Sequence, residues 1–221
     1  MPADRFEIGE EHGAKRTFVW VLDWPGWCRG GKDTPLAIDL LVEHGPRYAA
    51  VAQAAGLTLP EASPRDLVTV ESAAGGSGTD FGVPSAITES DRRPTTTKEA
   101  ARLAALVEAA WTVLDRVAAT APAELRKGPR GGGRDRDKML GHVIEADGAY
   151  AREIGLKLPA GSIDDRPTVD ALRAAMLEVI RRPSDGSPLA GRRWPVRYAA
   201  RRIAWHALDH AWEMEDRAGP G

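Results

Sequence analysis

Among the chain's five histidines, two stand four residues apart in RRIAWHALDHAWEMEDR, a stretch otherwise rich in Ala, Ile, Leu and Trp. At about 3.6 residues per turn, a four-residue step returns almost to the same helical face, so His206 and His210 can point at one place. Paired imidazoles at this spacing are the ligand pattern of zinc-protease helices. Those helices also carry a glutamate directly after the first histidine, where this chain has Ala207, so the protease base is missing. A third ligand must come from another element, and MLGHVIEAD offers His142 within an apolar face. Three imidazoles on one divalent ion leave at least one coordination position open to water or substrate. The alternative is that all three are hydrogen-bonded core side chains at an accidental spacing.

Two carboxylates share faces with these histidines, since Glu145 follows His142 by three residues and Glu213 follows His210 by three. Glu213 could orient a ligating ring, accept a proton, or pair with Arg217 one turn on. The Glu-x-x-His type of pairing also occurs in di-iron bundles, which need further glutamates from the other helices. The first long helix offers Glu99 near its end and Glu108.

Positioning these residues requires helices, and the second half of the chain supplies four. PTTTKEAARLAALVEAAWTVLDRVAAT has Thr96 as cap, Glu99 three residues later and an apolar stripe through Leu103, Val107, Ala110, Leu114 and Val117. RDRDKMLGHVIEADGAYAREIGL aligns Met139, Val143, Ala146 and Tyr150, with Asp135 or Asp137 as cap. TVDALRAAMLEVIRR follows Pro167 and Thr168, and the histidine-bearing helix starts at Pro195 and stops before Gly219 and Pro220. Four helices without intervening strand patterns predict a four-helix bundle over residues 95–218. A fragment beginning at Thr95 should keep that helical structure.

The first half reads differently. Thr17 to Leu22 is strand-like, Pro25 and Gly26 turn the chain, and DTPLAIDLLVEHGPRYAAVAQAAG gives two short helices broken at Gly45 and Pro46. RDLVTVES has strand character, and FGVPSAIT is expected as a further edge strand. The prediction is an α+β chain, with a small α+β module over residues 14–92 packed on the bundle. Trp20, Trp24 and Trp27 belong either to its core or to the wall of an apolar pocket.

The order of motifs, with GHVIEAD early in the second helix and WHALDH on the fourth, resembles the DinB superfamily of metal-binding four-helix proteins, also called YfiT-like. The resemblance spans Thr95 to about Arg217. It implies His142, His206 and His210 as ligands to zinc, nickel, manganese or iron. It also implies a metal-dependent transferase or isomerase that activates water or a low-molecular-weight thiol such as mycothiol; in such an enzyme the spacing from His210 makes Glu213 the candidate catalytic or ring-orienting group. HAWEMEDR departs from the usual family ending, in which another histidine or an arginine follows the second ligand. VLDWPGWCRGGKDTPLAIDLL faintly resembles the HicB-like domain in its strand, PG turn and helix. A non-catalytic metal-binding or protein-interaction module is the competing function.

Other features narrow the classes. A formal charge of -2 gives no overall basic excess, so nucleic acid is not expected as a partner, whereas a small-molecule substrate is, and a homodimer is compatible. No apolar run approaches the roughly 20 residues that span a bilayer, and the first residues lack a signal-peptide core, which predicts a cytoplasmic protein with no membrane partner. Cys28, the one cysteine, reads as an inert small hydrophobe. Arg126, Lys127, Arg130, Arg134 and Arg136 form a basic loop ahead of the His142 helix, and Arg192, Arg193, Arg197, Arg201 and Arg202 form a second basic run. Either is a solvated surface or a collector of anions. GGSG at Gly75 to Gly78 and DFG at Asp80 to Gly82 lack the context of phosphate-binding or kinase motifs.

Overall fold

The computed structural model describes residues 5–127 and 133–219, which leaves Arg130 of the basic loop and Pro220 outside the described residues. It is an α+β structure in which, among the described residues, seven α-helices accompany one four-stranded mixed sheet. The strands are β1 (Phe6–His12), β2 (Thr17–Val21), β3 (Cys28–Gly31) and β4 (Leu67–Ala74), in spatial order β3-β2-β1-β4. β2 is antiparallel to both neighbours, and β4 runs parallel to β1 with an irregularity between Ile8 and Gly9.

β1 lies ahead of the expected module boundary at residue 14 and carries Glu10 and Glu11 as buried side chains. Burying carboxylates is costly unless every lone pair is engaged. Glu10 accepts from the Thr34 and Thr69 hydroxyls, and Glu11 from the Thr79 hydroxyl and the amides of Ser85 and Ala86. The same anchoring explains why the expected strand in FGVPSAIT does not form. Its first residue closes the short helix α3 (Ser77–Phe81), and residues 83–87 follow as irregular chain held by hydrogen bonds to Glu11.

Helix α1 (Thr34–Glu43) is capped by Asp33, whose side chain accepts from the Leu36 amide, and α2 (Gly45–Ala54) restarts after His44 with Pro46 in its first turn. The long helices are α4 (Thr97–Thr120), α5 (Arg136–Glu153), α6 (Arg166–Ile180) and α7 (Val196–Ala218). The Thr96–Glu99 capping box starts α4 as the sequence predicts. Asp135 is the N-cap of α5, but its carboxylate is spent on the Leu125 amide and Lys127 instead of the helix. α4 packs against α6 and α7, and α5 packs against the same two, so each of these helices has partners within the group.

One apolar core runs through both halves, joining Phe6, Ile8, Trp27, Leu41 and Tyr48 to Leu103, Leu114, Met176, Leu208 and Trp212. The turn after β2 is seated directly on α7. Gly26 has φ 92°, and a Cβ there would lie 2.8 Å from Leu208 Cδ1, so both its conformation and its clearance call for glycine. The tryptophans are mainly packing groups. Trp20 is buried with Phe18, Cys28 and Trp205, Trp27 stacks on Tyr48 at 5.4 Å, and Trp24 meets Tyr48 edge-on. Trp27 also borders a cavity of about 420 Å³ shared with Val42, Pro46, Ala49 and Leu59. No helix among the described residues is long and apolar enough to cross a membrane.

Candidate metal centre

α7 is buried around most of its circumference because the bundle covers one side and the sheet module the other. Tyr198, Ile203, Trp205, Leu208, Ala211, Trp212 and Met214 are all buried along it. His206 and His210 sit within this helix at 6% and 8% exposure, one turn apart. α5 presents His142, which is partly exposed, from across the bundle. The three sequence-predicted ligands therefore meet, and one nitrogen from each lies within 4.8 Å of the other two.

The closest pair is His142 Nε2 and His206 Nε2 at 3.3 Å. Two nitrogens each about 2.0–2.1 Å from a tetrahedral ion stand about 3.3–3.4 Å apart, so this spacing suits a shared divalent cation. Ring centroids are 4.7 Å apart for His206 and His210, and 5.1 Å from His142 to each. The rings meet edge to face, so their nitrogens are not pushed apart by stacking.

Glu213 occupies the supporting position. Its Oε2 lies 3.2 Å from His210 Nδ1 and its Oε1 accepts from Arg217 at 2.7 Å. The His210 contact, helped by Arg217, holds the Glu213 carboxyl below the usual carboxylate range. With Nδ1 engaged, Nε2 is the His210 nitrogen left for an ion. His206 has no such support, since its Nδ1 is buried without a hydrogen-bond partner among the described residues.

Burial favours the neutral form of two of the three rings, His142 and His206. Burial is the main reason that His206 titrates well below 6.5, with the charges of His210 and Arg202 adding to it. His142 is also lowered, first by burial and then by Arg134 and His210. Neutral imidazole is the ligating form.

Tested against protein-family models, curated proteins and solved structures, the chain matches none. The case for a metal at the three-histidine cluster therefore rests on its geometry.

Several other candidates are placed elsewhere. Glu145 is exposed, Glu99 is held by the Thr96 cap and Arg197, and Glu108 pairs with Arg181, so none completes a di-iron ligand set. Cys28 is buried, and burial pushes its thiol up to about 12, consistent with an inert side chain. Much of the basic character is neutralised by Lys127 with Asp135, Arg136 with Asp137, Arg192 with Glu153, Arg197 with Glu99 and Arg201 with Asp91. Arg202 and Tyr150 border the triad, and sequence reasoning gave neither a role there. The four-residue step from Arg202 to His206 was the available signal, obscured by the neighbouring arginines.

Proposed function

We propose that the chain binds one divalent ion through His142, His206 and His210 and, as the DinB resemblance implies, acts as a metal-dependent transferase or isomerase on a thiol or water nucleophile. Convergence of three imidazoles from two helices, all within 4.8 Å, is the observation that carries this reading. A bound zinc, nickel, manganese or iron ion would supply Lewis acidity and lower the pKa of a thiol or water reaching its open position. The chain's own groups prepare that position. Burial holds His142 and His206 neutral. Glu213 fixes the ring of His210 and is itself fixed by Arg217. With both oxygens engaged and its acidity strengthened, Glu213 suits a positioning role better than a proton-donating one.

A second reading, metal binding without turnover, draws support from the burial of His206 and His210, which leaves His142 as the most open side of the triad. Cobalt substitution separates the two. Untagged protein reconstituted with Co²⁺ should hold one ion per chain, and its visible spectrum should change when 2-mercaptoethanol is added. An ion that binds with an unresponsive spectrum favours the second reading, and failure to bind any ion removes both. Glu213→Gln should weaken metal affinity by roughly 10–100-fold, the usual cost of losing a partner that orients a ligand.

A further inference from the structure

Beside the triad lies a cation without a carboxylate partner. Arg202 stands one turn before His206 on α7, with its guanidinium carbon 4.7 Å from the Trp205 ring centre and 5.5 Å from that of Tyr150. Tyr150 reaches this place from α5, two turns beyond His142, and its ring is 5.7 Å from that of His206. Of the arginines nearby, Arg201 is committed to Asp91, Arg29 to Asp209 and Arg217 to Glu213, while Arg134 lies exposed at the approach to α5 on the His142 side. Arg202 forms no salt bridge among the described residues; its guanidinium donates to the Pro84 carbonyl at 3.3 Å and also engages the Tyr150 hydroxyl, neither of which is a charged partner. An arginine stacked on aromatic rings has lost much of its rotamer freedom, and its planar fork is preorganised for a carboxylate.

Charge balance points the same way. The triad contributes no negative charge, and Glu213 is already paired with Arg217. An ion on the triad together with Arg202 therefore presents a positive strip along α5 and α7, faced on the His142 side by the exposed Glu145 and not at the Arg202 end.

We propose that Arg202, held over Trp205 and Tyr150, is the carboxylate-binding residue of this site, and that its ligand is a small carboxylic acid whose far end reaches the triad. A four-residue step along α7 puts the two ends of the strip about 6 Å apart along the helix axis, a span matched by a short mercapto acid. A single monovalent cation between two aromatic rings suits a carboxylate better than a doubly charged phosphate. The carboxylate contact concerns Arg202 alone, whereas the placement of the far end rests on the metal reading above.

The test uses zinc-loaded full-length protein titrated calorimetrically with 3-mercaptopropanoate and with 3-mercaptopropan-1-ol. The acid should bind about tenfold or more tightly than the alcohol, the difference a charge-assisted fork supplies. Arg202→Gln should abolish that preference while zinc still binds and helical circular dichroism is unchanged, and Arg202→Lys should restore only part of it. In parallel, metal-free protein is titrated with propanoate while the Trp205 indole resonance is followed by NMR; it should shift in the native chain and not in Arg202→Gln. A preference that survives in Arg202→Gln overturns the proposal, as does equal binding of acid and alcohol with no propanoate-induced shift. Failure of zinc to bind while propanoate still moves Trp205 through Arg202 would remove the metal reading and keep the carboxylate site. Tighter binding of inorganic phosphate than of propanoate to the metal-free protein would overturn the carboxylate assignment.

Discussion

Of the two triad histidines with a depressed pKa, His206 is the one whose protonation the fold resists more. Burial depresses its pKa well below 6.5, so between that lowered value and about 6.5 the unfolded chain binds a proton that the folded chain refuses. Stability must then fall as pH falls through this window. Replacing the ring by Gln removes its share, and the melting temperature of metal-free His206→Gln should decline less steeply below pH 6.5 than that of the native chain. Some slope remains, because His142 is lowered for the same reason. Parallel melting curves against pH for the two proteins would contradict this account of the ring's burial. The triad itself was legible in the sequence, because H-x-x-x-H on one helix and a lone histidine on an apolar face are both local patterns. Tyr150 was legible only as a member of the α5 stripe, since nothing along the chain shows that α5 and α7 set it beside Arg202.

At the level of elements, Arg173 ties three helices together. From α6 it contacts Asp115 of α4 at 3.1 Å and Asp147 of α5 at 3.2 Å, and it lies over the Trp111 ring. Asp147 is fully buried, and burial raises its carboxyl to about 6 despite the opposing pull of Arg173. Removing one partner of a buried pair typically costs about 3–5 kcal/mol because the other charge is stranded. Arg173→Met should therefore lose stability of that order in urea denaturation at pH 7.5. Its deficit should shrink below about pH 6, where a protonated Asp147 no longer needs a cation. An equal deficit at both pH values would show that packing against Trp111, and not charge, is what Arg173 contributes.

The long helices were readable because capping box, proline start and apolar period agree locally, as in Thr96 with Glu99 and Pro195 before α7. β1 was not, because FEIGEEH buries Glu10 and Glu11 through hydroxyls and amides from Thr34, Thr69, Thr79, Ser85 and Ala86, all distant in sequence. Conversely, FGVPSAIT has strand-like composition but pairs with no strand in the described sheet.

Across the whole molecule, the sheet module and the helices share one core, and ions reinforce the join. Arg201 pairs with Asp91 at 2.6 Å, Arg47 with Glu215 at 2.6 Å and with Asp216 at 2.9 Å, and Arg29 with Asp209 at 3.4 Å. The exposed members of this set add little individually, so the shared apolar core, which includes Trp27, Tyr48, Leu208 and Trp212, is the larger bond between the halves, with the contact of Phe18 and Trp20 with Trp205 adding to it. Far-UV circular dichroism and tryptophan fluorescence should thus report one coincident thermal transition, and two separated transitions would show independent halves. A fragment from Thr95 onward should retain helix yet associate, because it uncovers the face of α7 carrying Trp205.

The most direct measurement is calorimetric titration of zinc into untagged native protein and into His142→Gln, His206→Gln, His210→Gln and His12→Ala. One site per chain is predicted for the native protein and for His12→Ala. Each triad variant should lose more than the roughly 10–100-fold that accompanies loss of a mere supporting partner. Equal zinc affinity across all five proteins would contradict the triad and the function built on it.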